Sequence, residues 1–190
     1  VDLNDAVNLA GAVVVSSGAG DVNFDGTTNG AFDLTVDSTG TTTFTGAVGG
    51  TTPLGTFTIA NAASAIFSNA VYATNLDQGA TLATANGPID LSGNLTLTAG
   101  TLAMAANQLS VAGDITRSAG VITSSGLVLL EGTAAGQAVD FTGSTLAHLE
   151  LNNTFTTPTV TASSAIDLSG NLTLSSGTLA MAGNQLNVAG

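Results

Sequence analysis

Apolar residues alternate with Thr, Asn or Asp along most of this chain, in short runs that end at Gly, Asn or Ser. The runs Leu34-Thr35-Val36 and Leu95-Thr96-Leu97 are typical. A repeat of two residues indicates a β-strand with one buried side, whereas an amphipathic helix repeats about every 3.6 residues. Gly and Asn supply the turn conformations between such runs. The pattern therefore predicts an all-β chain built from short strands.

One segment departs from this pattern. Residues 60–72 (ANAASAIFSNAVY) form the best helix candidate of the chain. However, Phe67 follows Phe44 by 23 residues, and Leu34-Thr35-Val36 matches Phe57-Thr58-Ile59 at the same offset. Because Phe67 falls in this strand register, a strand is the preferred interpretation of the segment.

A long repeat organises the second half of the chain. Residues 89–113 (IDLSGNLTLTAGTLAMAANQLSVAG) and 166–190 (IDLSGNLTLSSGTLAMAGNQLNVAG) lie 77 residues apart and are identical at 21 of 25 positions. Self-similarity of this kind indicates a repeat architecture, in which each unit buries its apolar side by stacking on a neighbour. We expect residues 1–190 to form one such segment, either a piece of a longer array or a subunit that another copy continues.

A shorter period lies inside the long one. Residues 94–102 align with residues 114–122 at an offset of 20, and Phe24 aligns with Phe44 at the same offset. Short strands at this spacing fit either an antiparallel sandwich or a parallel β-helix. Equivalent residues are alike, as in Thr96 and Thr116, and in-register parallel stacking brings such residues together at about 4.8 Å. The sequence therefore predicts a parallel β-helix, or β-solenoid, with about 20 residues per coil and roughly nine coils.

The composition of the chain limits the partners and sites that it can have. Charged residues make up 7% of the chain, and 13 acids against one basic residue give a net charge of −12. Nucleic acids require Lys and Arg for their phosphates, so the net charge argues against a nucleic-acid partner. No apolar run reaches the roughly 18 residues of a membrane span, which predicts no membrane insertion. With no Cys, the chain has no disulfide and no thiolate metal site.

The segments 18–50 and 89–122 resemble the repeat regions of large secreted bacterial surface proteins. These are the filamentous-haemagglutinin-like exoproteins and the autotransporter passengers. The resemblance covers nearly the whole chain and implies a right-handed parallel β-helix at the bacterial cell surface. It implies a stalk or adhesin segment, whose partners are neighbouring repeats and a cell-surface or matrix carbohydrate. The secretion and carbohydrate-anchoring domains of that family are not recognisable in this sequence.

The sharpest local motif is Asp21-x-Asn23-x-Asp25-Gly26. The spacing resembles the start of an EF-hand calcium loop, in which oxygens at positions 1, 3 and 5 surround the ion and Gly follows. The motif then fails, because position 12 is Phe32 instead of a bidentate acid. The alternative is a strand with Val22 and Phe24 inside and the three polar side chains outside. Calcium at Asp21, Asn23 and Asp25 is the one metal site that the sequence suggests, and no other cofactor is expected.

Catalysis has little support in the sequence. Polysaccharide-cleaving β-helices need clustered carboxylates or a cationic base. The basic candidates are Arg117 and His148, and neither has an acidic cluster nearby in the sequence. We therefore expect a structural protein: a stiff extracellular rod whose copies stack end to end. The alternatives are a carbohydrate- or calcium-dependent binding module and, least favoured, an enzyme.

Overall fold

The computed structural model describes residues 1–133, 136–154 and 159–190. Within these residues all 24 regular elements are β-strands, and every strand pairing is parallel. The strands, numbered in chain order, stack into three parallel ladders, which we call faces A, B and C. The chain passes from A to B to C and then returns to A one strand further along the rod. The molecule is a β-solenoid, and the antiparallel sandwich is excluded.

The strands are distributed over the three faces as follows. Face A contains β1 (Asp2–Leu3), β4 (Val22–Phe24), β7 (Thr41–Phe44), β9 (Ser64–Phe67), β11 (Leu82–Ala85), β14 (Thr101–Ala105), β21 (Ile166–Leu168) and β24 (Leu186–Val188). Face B contains β2 (Val7–Asn8), β5 (Thr28–Asn29), β12 (Ile89–Leu91), β15 (Leu109–Val111) and β22 (Leu172–Ser176). Face C contains β3 (Val13–Gly18), β6 (Leu34–Ser38), β8 (Leu54–Ala60), β13 (Leu95–Leu97), β16 (Ile115–Arg117), β18 (Gln137–Val139), β20 (Thr159–Ala162) and β23 (Thr178–Ala180).

Three longer strands turn a corner and contribute to two faces. β10 (Val71–Gln78) belongs to faces B and C, whereas β17 (Val121–Leu130) and β19 (Thr145–Asn152) belong to faces A and B. One coil crosses face B through a single bridge at Val48. The described residues thus fill ten strand positions on face A and nine on each of faces B and C. This equals nine coils plus one strand, which begins and ends on face A.

The pairing registers confirm the offsets found in the sequence. Phe24 pairs with Phe44, and Thr96 pairs with Thr116, each at an offset of 20. The step between coils shortens to 18 residues from Ser64 to Leu82 and lengthens to 24 from Ile115 to Val139. Insertions therefore fall in the corners, while the strands keep their alignment. The helix candidate at 60–72 contributes β9 and the start of β10, so the strand interpretation was right.

The core is a column of inward-facing side chains along the rod. In the first half it is aromatic: the Phe44 ring lies 5.1 Å from that of Phe57 and 5.9 Å from that of Phe67. In the second half it is mainly aliphatic, and residues such as Leu95, Leu109 and Leu149 are fully buried. Alternate residues on each strand point outward, which is why the two-residue period was visible in the sequence.

The two copies of the long repeat lie on different faces. Ile89 belongs to β12 on face B, but the equivalent Ile166 belongs to β21 on face A. Ile166 lies eleven strand positions after Ile89 along the chain, whereas four full coils of three strands would contain twelve. The copies therefore do not stack on each other, and every strand of the second copy is displaced by one face.

Despite this displacement, the two copies have the same local structure. Ala105 and Ala182 both have a left-handed backbone, with φ of 47° and 49°. The Asn107 side-chain amide donates to the Ala85 carbonyl at 2.9 Å, and that of Asn184 donates to a carbonyl of the preceding coil at 3.0 Å. The same residues therefore build the same strand–turn–strand unit in two different placements on the solenoid.

Candidate functional site

Asp and Asn side chains line the corner between faces B and C and join successive coils. The Asp33 carboxylate accepts the Thr56 N–H at 2.6 Å. Three further side chains do the same for the coil that follows them. Asn75 accepts from Asn94 N–H, Asn94 from Asp114 N–H and Asp114 from Ala138 N–H, each at 2.8 Å. Much of the polar pattern in the sequence is therefore structural, since these side chains satisfy main-chain donors where the strands end.

The calcium candidates lie on the outer surface of β4. Val22 and Phe24 are buried, and Asn23, between them, points outward. The Asp21 carboxylate accepts the Thr41 N–H at 2.7 Å, and the Asn23 amide donates to Asp2 at 2.7 Å. This matches the strand alternative that the sequence offered for the motif.

Extended backbone separates the two acids of this motif. Four residues of strand carry the chain about 13 Å, whereas calcium ligands lie at about 2.3–2.6 Å from one ion. Within the residues that the structure describes, no three His, Cys, Asp or Glu side chains are grouped so that they could hold a metal ion. Calcium binding by Asp21, Asn23 and Asp25 stays a prediction for titration.

Arg117 is half-buried at a position where the preceding coil has a core leucine. It pairs with Leu97 on face C, and its Nε donates to the Gly120 carbonyl at 2.7 Å. Asp140 lies near the same corner. Partial burial alone would raise the pKa of Asp140, but hydrogen bonds from Thr142 and the Arg117 charge outweigh it and lower that pKa. The guanidinium therefore stabilises a corner of the rod.

His148 also has a structural role at a corner. Its Nδ1 accepts the Asn171 N–H at 3.1 Å, as the Asp and Asn side chains do at the corner between faces B and C. A ring nitrogen that accepts a main-chain hydrogen bond is already engaged in the structure of the rod. Within the described residues, His148 belongs to no group of three His, Cys, Asp or Glu side chains that could hold a metal ion.

Face B carries an acidic patch, formed by Asp90, Glu131 and Glu150. Partial burial raises the pKa of Glu131, and the charge of Asp90 raises it further, against a smaller effect of the Ser110 hydroxyl. The patch follows from the outward alternation on β12, β17 and β19. Of its three carboxylates, Asp90 lines a small groove of about 100 Å³ together with Tyr72 and Ser92.

Two larger surface grooves lack the paired titratable side chains that catalysis needs. One of about 380 Å³ crosses β17 and β19 and is lined by Ala, Ser, Thr and Leu side chains, with no ionisable group. Another of about 490 Å³ lies on face C, where Asp77 is its single acid. General acid–base catalysis needs titratable groups within hydrogen-bond reach of a substrate. These two grooves do not provide a pair of such groups.

Face A has an uncharged central strip that sequence analysis missed. Its outward residues, from β7 to the start of β19, are Thr41, Thr43, Ser64, Ile66, Leu82, Thr84, Thr101, Ala103, Val121, Thr123 and Thr145. None of these eleven described residues is charged, whereas Asp2, Asp21, Asp25 and Asp167 lie towards the ends of face A. The strip could have been found in the sequence only after the coil registers were known.

The two ends of the rod expose apolar side chains and strand edges. Leu174 is 54% exposed and Val188 42% exposed at one end, and Val1 is 52% exposed at the other. These residues occupy positions that other coils bury in the core. Both ends also present strands paired on one side alone within the described residues: β1, β2 and β3 at one end and β22, β23 and β24 at the other.

No family model, curated protein or solved structure matches the chain. The assignment of the architecture therefore rests on the strand pairings themselves. None of the described residues belongs to a helix long and apolar enough to span a membrane.

Proposed function

We propose that this chain is a structural rod, a β-solenoid segment of a bacterial extracellular fibre or cell-surface adhesin. Its task is to hold other parts of a fibre at a fixed distance, and its surface performs no catalysis. The rod would be ~45 Å long, for nine coils and one strand at about 4.8 Å per coil.

The observation that carries this proposal is the core that continues from coil to coil through the described residues. Inward side chains are buried in coil after coil, from Val22 to Leu168. Main-chain hydrogen bonds between coils accompany this core along the rod, for example from Thr45 N–H to the Phe24 carbonyl at 2.8 Å and from Ser118 N–H to the Leu97 carbonyl at 3.0 Å. Bending such a rod would break bonds and packing together, so it is expected to be stiff.

The acidic surface and the uncharged strip fit an exposed position in a fibre. A net charge of −12 keeps rods apart side by side at low salt. The extracellular location and the bacterial source belong to the proposal through the resemblance of segments 18–50 and 89–122 to secreted surface repeats. A carbohydrate partner would belong to other parts of such a fibre, because Tyr72 is the one Tyr here and Trp is absent.

Electron microscopy of the purified chain tests the proposal. We expect straight particles whose length is a multiple of ~45 Å, with a diffraction layer line near 4.8 Å along the particle axis. Compact particles without that spacing would contradict a rod. Hydrolysis of a panel of polysaccharides provides the second readout, and any turnover that purified chain sustains would contradict a purely structural role.

A further inference from the structure

Two Asn-Gly pairs occur in the sequence, at Asn29-Gly30 and at Asn86-Gly87. In such a pair the main-chain nitrogen of the glycine can attack the side-chain amide of the asparagine, because glycine has no β-carbon to hinder the approach. The two pairs share this intrinsic chemistry. A difference in reactivity between them in the folded rod must therefore come from the surrounding structure.

Hydrogen bonds hold both reacting groups of the first pair. The Asn29 side chain is 8% exposed, and its Oδ1 accepts the Thr51 N–H at 2.9 Å. The Gly30 N–H donates to the Thr52 carbonyl at 3.2 Å. Both groups are thus engaged with the next coil, so neither can turn towards the other without breaking a bond.

The second pair lies at the corner between β11 on face A and β12 on face B, where the Asn86 side chain is exposed. Among the described residues, no hydrogen bond holds this side chain or the Gly87 N–H. The main chain is anchored on either side. The Asn86 N–H donates to the Phe67 carbonyl at 2.8 Å, and the Pro88 carbonyl accepts the Val71 N–H at 2.9 Å. The corner is therefore well bonded except at the two groups that can react.

Packing requires a glycine at this corner. A β-carbon at position 87 would lie 2.6 Å from the carbonyl carbon of Asn69 and 2.7 Å from the nitrogen of Ala70. Both distances are shorter than a van der Waals contact, so a larger residue would push the main chains of the two coils apart. The fold therefore places a glycine directly after an exposed asparagine.

We propose that Asn86 is a site of spontaneous modification, at which the side-chain amide is replaced by a carboxylate. The Gly87 nitrogen gives its proton to solvent and forms a bond to Cγ of Asn86, and the bond from Cγ to Nδ2 breaks. Nδ2 takes up a proton from solvent and leaves as ammonia. A five-membered imide ring remains, and the step needs no oxidant, reductant or cofactor.

Water then opens the imide ring in one of two ways. Attack at Cγ breaks its new bond to the Gly87 nitrogen and leaves an ordinary main chain with an aspartate side chain. Attack at the main-chain carbonyl carbon breaks the other bond to that nitrogen and leaves isoaspartate, in which the chain continues through Cγ. The sum of both steps consumes one water and releases one ammonia. Each product carries one more negative charge than the asparagine.

The new charge would lie at the edge of the uncharged strip on face A. Asn86 follows Thr84 by two residues and thereby continues the outward row of β11 past the end of that strand. None of the eleven residues of the strip is charged, so a carboxylate beside them changes the electrostatics of this face. A population of rods would divide with time into two charge states. This inference goes beyond the proposed structural role and does not depend on it.

Peptide mapping by mass spectrometry of the full, folded chain tests the proposal. The protein is incubated in mildly alkaline buffer, which favours the deprotonated nitrogen. Cleavage after Phe and Leu side chains then releases residues 25–32 with Asn29 and residues 83–91 with Asn86. The mass gain of an amide-to-acid change is followed in each peptide. We expect residues 83–91 to convert roughly 30-fold faster, because attack at Asn29 must first break two hydrogen bonds, each of which lowers the reactive population about fivefold.

The unfolded chain is the control for intrinsic chemistry. In guanidinium chloride the two peptides should convert at closely similar rates. Asn86→Gln and Asn29→Gln are the matched variants, because glutamine would have to form a less favourable six-membered ring. On isoelectric focusing, the folded wild type should gain a more acidic band with time. Asn86→Gln should lose that band, and Asn29→Gln should retain it.

The outcomes separate the effect of the fold from that of the sequence. Equal conversion of the two peptides in the folded chain would overturn the proposal, as would conversion of Asn86 only after unfolding. A difference that persists in guanidinium chloride would assign the preference to the flanking residues and overturn its structural cause. None of these results bears on the rod itself, which electron microscopy tests separately.

Discussion

The ring of Phe44 lies parallel to the ring of Phe24 one coil away, with the centroids 4.4 Å apart and the planes at 10°. The two residues pair in register on adjacent strands, so the stack is a direct consequence of the coil period of 20. Phe44 also contacts Phe57 and Phe67, which makes it the centre of the aromatic part of the core. The aromatic part of the core therefore lies in the first half of the rod.

Phe44→Ala should destabilise the rod strongly. The side chain is 1% exposed, and removing it leaves a cavity among three other rings. We expect a loss of about 3–5 kcal/mol in the free energy of unfolding, measured by denaturant titration. Phe32→Ala is the control, because Phe32 is 43% exposed, and it should cost less than about 1 kcal/mol. Equal losses in the two variants would contradict the described core.

The corner bonds can be tested with a pair of residues that the repeat makes equivalent. Asn94 accepts the Asp114 N–H, whereas Asn171 occupies the same repeat position and has no such main-chain donor among the described residues. Asn94→Ala should cost about 1 kcal/mol, which is ~2–4 °C in melting temperature for a chain of this size. Asn171→Ala should leave the melting temperature unchanged, and a larger loss there would contradict this role.

Sequence reasoning succeeded where neighbouring coils touch. Parallel stacking in register places like residues together, so Phe24 with Phe44 and Thr96 with Thr116 were visible as an offset of 20. The alternation along each strand then separated inward Leu97 from outward Thr96. These features are local or repeat at a short period, so a single sequence was sufficient to predict the β-solenoid and its approximate number of coils.

Other features of the fold depend on the combined length of many corners. The long repeat suggested equivalent positions for Leu97 and Leu174, but corner insertions displace the second copy by one face. That displacement depends on the lengths of all the corners in between, which strand patterns do not specify. The exposure of Leu174 and the uncharged strip on face A follow from the same registers, so they too required the three-dimensional structure.

Calcium should leave the stability of the chain unchanged. Asp21 and Asp25 are spread along an extended segment, and the Asp21 carboxylate is already hydrogen-bonded to Thr41. We expect no change in melting temperature at millimolar calcium. A ligand that binds the folded state raises stability by RT ln(1 + [L]/Kd), so a site of useful affinity would be evident. A rise that Asp25→Asn abolishes and Asp37→Asn retains would establish the calcium site.

The acidic patch on face B should make stability depend on pH. Burial and the charge of Asp90 hold the pKa of Glu131 above its ordinary value, so ionising Glu131 costs more in the folded rod than in the unfolded chain. The stability associated with the neutral carboxyl is present below the unfolded pKa. It is lost as the pH rises from that value through the raised folded pKa.

Glu131→Gln should therefore raise the melting temperature at pH 7, above the unfolded pKa of Glu131, and should leave it unchanged near pH 3, below that pKa. Glu150→Gln, also on face B, is the control for removing one negative charge from the rod, and its effect at pH 7 should be smaller.

The measurement is thermal unfolding of the three proteins at both pH values. An equal gain from the two variants at pH 7 would mean that net charge, and not the burial of Glu131 and its repulsion by the Asp90 charge, limits stability on this face. A fall in melting temperature for Glu131→Gln at pH 7 would mean that the bond from Ser110 outweighs burial.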